Sequence, residues 1–91
     1  MISLSTHVLD TSRGAPAPGV RVELVGVGEA TTDDDGRARL GDELEPGEYR
    51  LVFHPPSPFF TRVELTVQLE EGHYHVPLLV SPYGCASYRG S

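Results

Sequence analysis

Apolar and polar residues alternate along much of this chain of 91 residues, and a repeat of two residues is typical of a strand with one buried face. In the clearest run, TRVELTVQLE over residues 61–70, four aliphatic side chains alternate with charged or polar ones. The segments 20–24 and 49–54 repeat the pattern in VRVEL and YRLVFH. The alternation therefore predicts half-buried antiparallel strands rather than helices.

Turn-forming residues separate these runs. The chain contains eight prolines and ten glycines, and the segments RGAPAPG, DDDG and EPGE carry the residues that tight turns require. HPPSP at 54–58 cannot continue a strand, because proline has no N–H for the ladder. We expect an all-β sandwich of about seven to eight short antiparallel strands, forming a single domain over residues 1–91.

Composition excludes several classes of partner. The net charge is −6, there is no lysine, and the seven arginines are scattered, so neither nucleic acid nor a membrane is expected as a partner. A domain this small buries a modest fraction of its surface, which favours self-association. The single cysteine, Cys85, cannot form an intrachain disulfide, and we interpret it as a small packing residue. With no secretory signal in MISLSTHVLD, we expect a cytoplasmic protein.

Two histidines face away from the predicted core. In the first strand, His7 lies opposite the row formed by Ile2, Leu4 and Val8. Near the other end, His75 shares its face with Pro77 and Leu79. A lone outward histidine is ordinarily a polar surface residue. A face that carries both imidazoles and apolar groups instead favours a surface covered by another subunit, with a partly desolvated pocket between protomers.

Metal binding is the less favoured interpretation of these histidines. His73 and His75 lie on one strand face and could chelate an ion if His7 or a carboxylate supplied a third ligand. The segment TDDDGR resembles part of a calcium loop but lacks the glutamate that completes such a loop. We therefore expect a hairpin turn at DDDG and no metal.

The two ends of the chain resemble a known family. LSTHVLD at 4–10 and HYHVPLLVSPYGCASYRGS at 73–91 are similar to the transthyretin-like proteins, specifically the 5-hydroxyisourate hydrolase branch, of which a terminal YRGS is the hallmark. The resemblance implies a transthyretin-like β-sandwich that assembles as a homotetramer with active sites between subunits. It also implies hydrolysis of the N1–C6 bond of 5-hydroxyisourate to 2-oxo-4-hydroxy-4-carboxy-5-ureidoimidazoline in urate degradation, with no cofactor.

The same resemblance implies the site residues. His7, His75 and Arg37 correspond to catalytic positions, and Arg37, Tyr88 and Ser91 to substrate-binding positions. Imidazoles suit the two proton transfers that hydrolysis needs, and an arginine can polarise carbonyl oxygens while remaining charged. Which histidine acts as the base stays open at this point.

The chain also departs from the family pattern. The hairpin ELVGVGEATTDDDGR at 23–37 and the connection HPPSP are shorter than usual, and Cys85 to Ser87 replace a commoner aromatic-Ser-Thr run. Two alternatives therefore stay open, a non-catalytic small-ligand binding module of the same fold and a monomeric structural module. On these alternatives Arg37 is a solvated strand residue and Tyr88 a packing aromatic.

Overall fold

The protein is built from strands. A computed structural model describes residues 1–90, and within them no helix is long and apolar enough to cross a membrane. The ten strands, in chain order, are β1 Ile2–Asp10, β2 Ala15–Pro16, β3 Arg21–Leu24, β4 Gly28–Thr31, β5 Arg37–Leu44, β6 Gly47–His54, β7 Val63–Leu69, β8 Gly72–His75, β9 Leu78–Ser81 and β10 Gly84–Ser87. The expectation of an all-β sandwich is confirmed.

The strands form two sheets. One sheet has the order β4-β3-β6-β7, with all neighbours antiparallel. The other is organised around β1, whose first half pairs with β5 and β8 and whose second half pairs with β2 and β9. β10 lies beyond β9. The long first strand therefore contacts elements from both halves of the chain.

The strand count exceeds the expected seven or eight for two physical reasons. The turn-rich segment 13–19 contains the short strand β2, which pairs with the end of β1. The second reason is Pro77, which separates β8 from β9 although both run parallel to β1. Because proline has no N–H to donate, the ladder is interrupted there and resumes at Leu78.

The core lies between the two sheets and follows the alternation read from the sequence. Its fully buried members include residues from β1, β3, β6, β7 and β9, namely Ile2, Leu4, Val8, Val22, Leu24, Leu51, Phe53, Leu69, Leu78 and Val80. Thr6 is the one polar side chain of β1 on this inward row. Its hydroxyl donates a 2.6 Å hydrogen bond to the Val76 carbonyl, which satisfies the buried group and ties β1 to the end of β8.

The segment HPPSP forms the connection that its prolines predict. β6 ends at His54, and the Ser57 hydroxyl then accepts hydrogen bonds from the N–H groups of Phe59 and Phe60. Phe59 packs edge-on against Phe60 and lies near Tyr83 in the β9–β10 turn. This short loop is therefore held against the turn that leads into the last strand.

Candidate active site

Three adjacent strands bring the predicted catalytic residues together. His7 on β1 lies opposite Arg37 on β5, and Ser5 on β1 lies opposite His75 on β8. The ring centroids of His7 and His75 are 6.4 Å apart. Neither ring belongs to the core between the sheets. The expectation that both histidines face outward on one surface is confirmed.

An open groove runs beside these residues. Its volume is about 630 Å³, and its lining includes Ser5, Asp33, Arg37, Arg39, His73 and His75. The lining mixes neutral polar groups, two imidazoles, two guanidinium groups and the carboxylate of Asp33. A planar heterocycle with several carbonyl oxygens is the kind of ligand for which such a surface offers both donors and positive charge.

His7 is oriented by the turn at Asp33–Gly36. Its Nε2 lies 2.8 Å from the Asp35 carbonyl oxygen, and since a carbonyl can only accept, Nε2 carries the proton. In the neutral ring, Nδ1 then holds the lone pair. The tight turn expected at DDDG is confirmed, but it is not a hairpin turn, because β4 and β5 belong to different sheets and do not pair with each other. The turn also fixes the tautomer of His7.

Gly36 makes this support possible. Its φ is 75°, and a Cβ there would lie 2.6 Å from the Val8 carbonyl oxygen. The Val8 N–H donates a 2.7 Å hydrogen bond to the Gly36 carbonyl. The turn thus packs directly on β1 next to His7. Asp33 closes the turn by accepting the N–H of Arg37, which lowers the pKa of the Asp33 carboxyl.

His75 is half-buried and tends to be neutral. Burial lowers the pKa of its ring below the ordinary 6.5, and repulsion from His7 in its protonated form, from Arg37 and from His73 in its protonated form lowers it further. Its Nδ1 lies 2.9 Å from the Ser5 hydroxyl, while within residues 1–90 its Nε2 has no hydrogen-bond partner. A neutral imidazole with one free nitrogen is suited to accept a proton.

Arg37 is available to a ligand. It is exposed, and its guanidinium forms no ion pair with any side chain in the described part of the chain. By contrast Arg39, two residues further along β5, is held by Asp42 at 2.7 Å. No ion pair with the described side chains therefore competes with a ligand for the Arg37 guanidinium at the groove.

Three polar residues of this surface were not predicted to be site residues, namely Ser3, Ser5 and His73. Ser5 contacts both His73 and His75, and Ser3 contacts His73. The alternation already places Ser3 and Ser5 on the same face as His7, so the signal was present in the pattern. Their hydrogen bonds to His73 depend on the parallel pairing of β1 with β8, which the local sequence does not reveal.

The C-terminal segment folds back beside His75. β10 pairs with β9, and beyond it Gly90 donates its N–H to the His75 carbonyl at 2.7 Å. A Cβ on Gly90 would lie 2.8 Å from Cδ2 of the His75 ring, so only glycine fits there without displacement. The Arg89 guanidinium sits 4.3 Å from the centre of the Tyr74 ring.

Of the two predicted tail ligands, Tyr88 does not line the groove beside the histidines within one chain. Tyr88 is 56% exposed and lines a separate hollow of about 380 Å³ with Tyr74, Arg89 and aliphatic residues of β7. Ser91 lies outside the described residues. The substrate-binding roles of Tyr88 and Ser91 stay predictions.

Neither a metal centre nor a reactive thiol is assembled in the described residues. Within 1–90, no group of three or more His, Cys, Asp or Glu side chains is placed to hold a metal ion. Cys85 is half-buried and packs against the core, and burial raises the pKa of its thiol. A protonated thiol is a poor nucleophile, which agrees with the packing role expected for this residue.

Comparison with known sequences identifies relatives of the whole chain. The HIUase/Transthyretin family profile matches residues 4–90. The 5-hydroxyisourate hydrolase of Caulobacter vibrioides is 40% identical over 115 aligned positions that cover all of both chains. Since the present chain has 91 residues, at least 24 of those positions have no counterpart in it. This agrees with the shortened loops noted in the sequence.

Solved structures share the architecture. The 5-hydroxyisourate hydrolase of Klebsiella pneumoniae has a TM-score of 0.89 at 37% identity, with all of both chains covered. Sea bream transthyretin in complex with thyroxine has a TM-score of 0.82 at 25% identity, covering 96% of this chain and 93% of its own. A hydrolase and a thyroxine-binding protein thus have the same fold, and the side chains at the groove must decide between the two functions.

Proposed function

The chain belongs to the HIUase/transthyretin family, and on that basis we propose that it hydrolyses 5-hydroxyisourate to 2-oxo-4-hydroxy-4-carboxy-5-ureidoimidazoline, a step of urate degradation. The single observation that supports this activity best is the grouping of His7, Arg37 and His75 on one face of one sheet, with the two rings 6.4 Å apart. Two imidazoles, and a guanidinium that forms no ion pair among residues 1–90, supply the groups that hydrolysis of a cyclic amide requires.

His75 is the base in this proposal. Its lowered pKa keeps it neutral near pH 7, and its Nε2 is free to take a proton from an attacking water. As the water loses that proton, its oxygen forms a bond to C6 of the substrate. The negative charge that develops on the C6 carbonyl oxygen lies within reach of the Arg37 guanidinium.

His7 is the acid. The Asp35 carbonyl holds its Nε2–H, so the protonated ring presents a second N–H at Nδ1. Donation of that proton to N1 as the C6–N1 bond breaks releases the opened product. The proton gained by His75 and the proton lost by His7 balance over the cycle through solvent, and no cofactor enters the scheme.

A homotetramer is the assembly that we propose. β7 and β10 each lie at one edge of their respective sheets, and exposed strand edges pair readily with other chains. The hollow at Tyr88 lies along β7 and the C-terminal segment, so a neighbouring subunit that pairs there would cover it. Tyr88 and Ser91 are proposed to contact substrate in the assembled protein.

The cytoplasm is the proposed compartment. This proposal is supported by the single cysteine, whose half-buried thiol packs against the core and is not paired in a disulfide. Disulfides are rare in cytosolic proteins because the cytosol keeps thiols reduced.

The activity is tested by generating 5-hydroxyisourate in situ from urate and following its loss by ultraviolet absorbance. We expect the protein to accelerate the loss well beyond spontaneous decay. His75→Ala is expected to lower kcat by about 10²- to 10⁴-fold, which is the range that positioned acid–base groups supply. His54→Ala is the matched control, because His54 lies on the other sheet and contacts Arg21.

A tetrameric sample that does not exceed spontaneous decay would contradict the proposed reaction. In that case, saturable binding of a small aromatic ligand would favour the non-catalytic alternative, and a monomeric mass by light scattering would favour the structural module. Full activity in His75→Ala would remove His75 from the mechanism while leaving the reaction itself in place.

A further inference from the structure

A chain of four hydrogen-bonding side chains runs along the junction of β1 and β8. The Ser3 hydroxyl lies 2.6 Å from His73 Nδ1, the Ser5 hydroxyl lies 3.1 Å from His73 Nε2, and the Ser5 hydroxyl also lies 2.9 Å from His75 Nδ1. The parallel register places Ser3 opposite His73 and Ser5 opposite His75, so the serines and histidines interleave. His73 is exposed, whereas Ser5 and His75 are half-buried.

The Ser5 hydroxyl couples the two rings because it has one proton. If Ser5 donates to His73 Nε2, its oxygen is free to accept from His75 Nδ1–H, and the lone pair of His75 is on Nε2. If Ser5 donates to His75 Nδ1 instead, the proton of neutral His75 is on Nε2. The direction of the Ser5 hydroxyl therefore decides which nitrogen of His75 can accept a proton.

We propose that His73 is a positioning residue that, through Ser5, keeps the proton of His75 on Nδ1 and so leaves Nε2 free to act as base. In this arrangement His73 Nε2 accepts the Ser5 hydroxyl proton, and His73 Nδ1–H donates to the Ser3 oxygen. Every donor along the chain then meets an acceptor, ending at a serine that can donate to solvent. The proposal rests on the proposed function for its catalytic consequence, although the proton arrangement itself can be measured without any reaction.

Two features of the surface explain why His73 acts through Ser5. No hydrogen bond joins the two rings directly among residues 1–90, so Ser5 is their shared partner. The two rings also do not belong to a set of three or more metal-ligating side chains in this part of the chain. His73 is thus placed to orient His75 as carboxylates and carbonyls orient histidines in other sites.

The test uses His73→Phe, His73→Gln and Ser5→Ala, with His54→Phe as the matched control on the other sheet. His73→Phe removes the acceptor for the Ser5 hydroxyl, which then turns to His75 Nδ1. We expect kcat to fall about tenfold, part of the 10²- to 10⁴-fold that acid–base catalysis supplies, with a smaller change in KM. The Gln side chain offers an oxygen near the position of Nε2 and is expected to restore most of kcat.

A double-mutant cycle tests the route through Ser5. Since His73 acts through the Ser5 hydroxyl, the loss caused by His73→Phe should disappear in a Ser5→Ala background, whereas independent effects would add. Additive losses, or a His73→Gln variant as slow as His73→Phe, would overturn the proposal.

Nitrogen NMR of ¹⁵N-histidine-labelled protein reads the His75 tautomer directly. We expect His73→Phe and Ser5→Ala to move the His75 proton population away from Nδ1 and towards Nε2, while His54→Phe leaves it in place. Unchanged His75 shifts in His73→Phe would overturn the proposal even in an active enzyme. Changed shifts in a protein that does not hydrolyse 5-hydroxyisourate would support the positioning role and contradict the proposed reaction.

Discussion

Gly90→Ala should separate activity from stability. The added Cβ would lie 2.8 Å from His75 Cδ2 and 3.3 Å from the His75 carbonyl oxygen, whereas carbon atoms pack at about 3.5 Å or more. Either the C-terminal segment moves away from His75, or the His75 ring moves until a normal contact distance to the new Cβ is restored. No left-handed backbone is involved at Gly90, so the effect is steric rather than conformational.

The magnitude follows from what the displaced segment loses. The Gly90–His75 hydrogen bond is worth about 1 kcal/mol, and the Arg89–Tyr74 contact about 0.5–1 kcal/mol at an exposed position. We therefore expect a loss of at most about 2 kcal/mol in the free energy of unfolding, which corresponds to a fall in Tm of no more than about 8–16 °C. A catalytic group misplaced by about 1 Å loses about 100-fold in rate, so kcat should fall far more than stability.

The assay compares 5-hydroxyisourate turnover with urea denaturation for Gly90→Ala and for Gly28→Ala. Gly28 is the matched control, because nothing lies within 4 Å of its added Cβ and its φ is not in the left-handed region. We expect Gly28→Ala to retain full activity, and light scattering should show the same mass for both variants. If Gly90→Ala kept kcat within about twofold of the unsubstituted protein, the placement of the C-terminal segment against His75 would have no catalytic importance.

Two further outcomes follow from the site. The pKa of His75 is lower in the folded protein than in the unfolded chain, so the unfolded chain takes up a proton first as the pH falls below about 6.5. The free energy of unfolding should therefore decrease below that pH, and it should decrease less in His75→Gln. Equal shifts of the urea midpoint between about pH 7.5 and pH 5 for the two proteins would contradict this. Gly36→Ala should lower the free energy of unfolding by about 2–4 kcal/mol, because a left-handed backbone and overpacking act together. Gly26→Ala, which has a similar φ but open space around the added Cβ, should lower it by about 1–2 kcal/mol. Equal losses in urea denaturation would show that the contact of Gly36 with Val8 is unimportant.

The sequence was sufficient for the sandwich and for the faces of its strands. Alternation in β1 and around His75 placed both histidines outside the core, because the period of two is a local property of the backbone. Pro77 divides this segment into β8 and β9, but the sequence alone did not establish the division. The break is a gap in the pairing with β1, and that pairing is not a local property of the sequence.

The sequence and the family resemblance predicted three side chains that the structure places close together, but not the groups that hold those side chains in position. His7, Arg37 and His75 were identified from the ends of the chain and the turn, and the structure brings them to one surface. The carbonyl of Asp35 and the hydroxyl of Ser5 were missed, because backbone acceptors carry no side-chain signal and the Ser5 contact joins residues 70 positions apart. The role proposed for Tyr88 depends on the proposed tetramer, and a single chain cannot test it.

The pairing of β1 with β8 and β9 has a consequence for biosynthesis. β1 is made first, yet its parallel partners come from residues 72–81, so one side of the strand stays unpaired until most of the chain has left the ribosome. Contacts this distant in sequence form slowly, and an open apolar strand edge invites association with other nascent chains. Strand β5, which pairs with the opposite edge of β1, is translated much earlier. The turn that holds His7 and the strand that carries Arg37 are therefore translated well before His75, so the histidine pair can form only after residues 72–75 have been made.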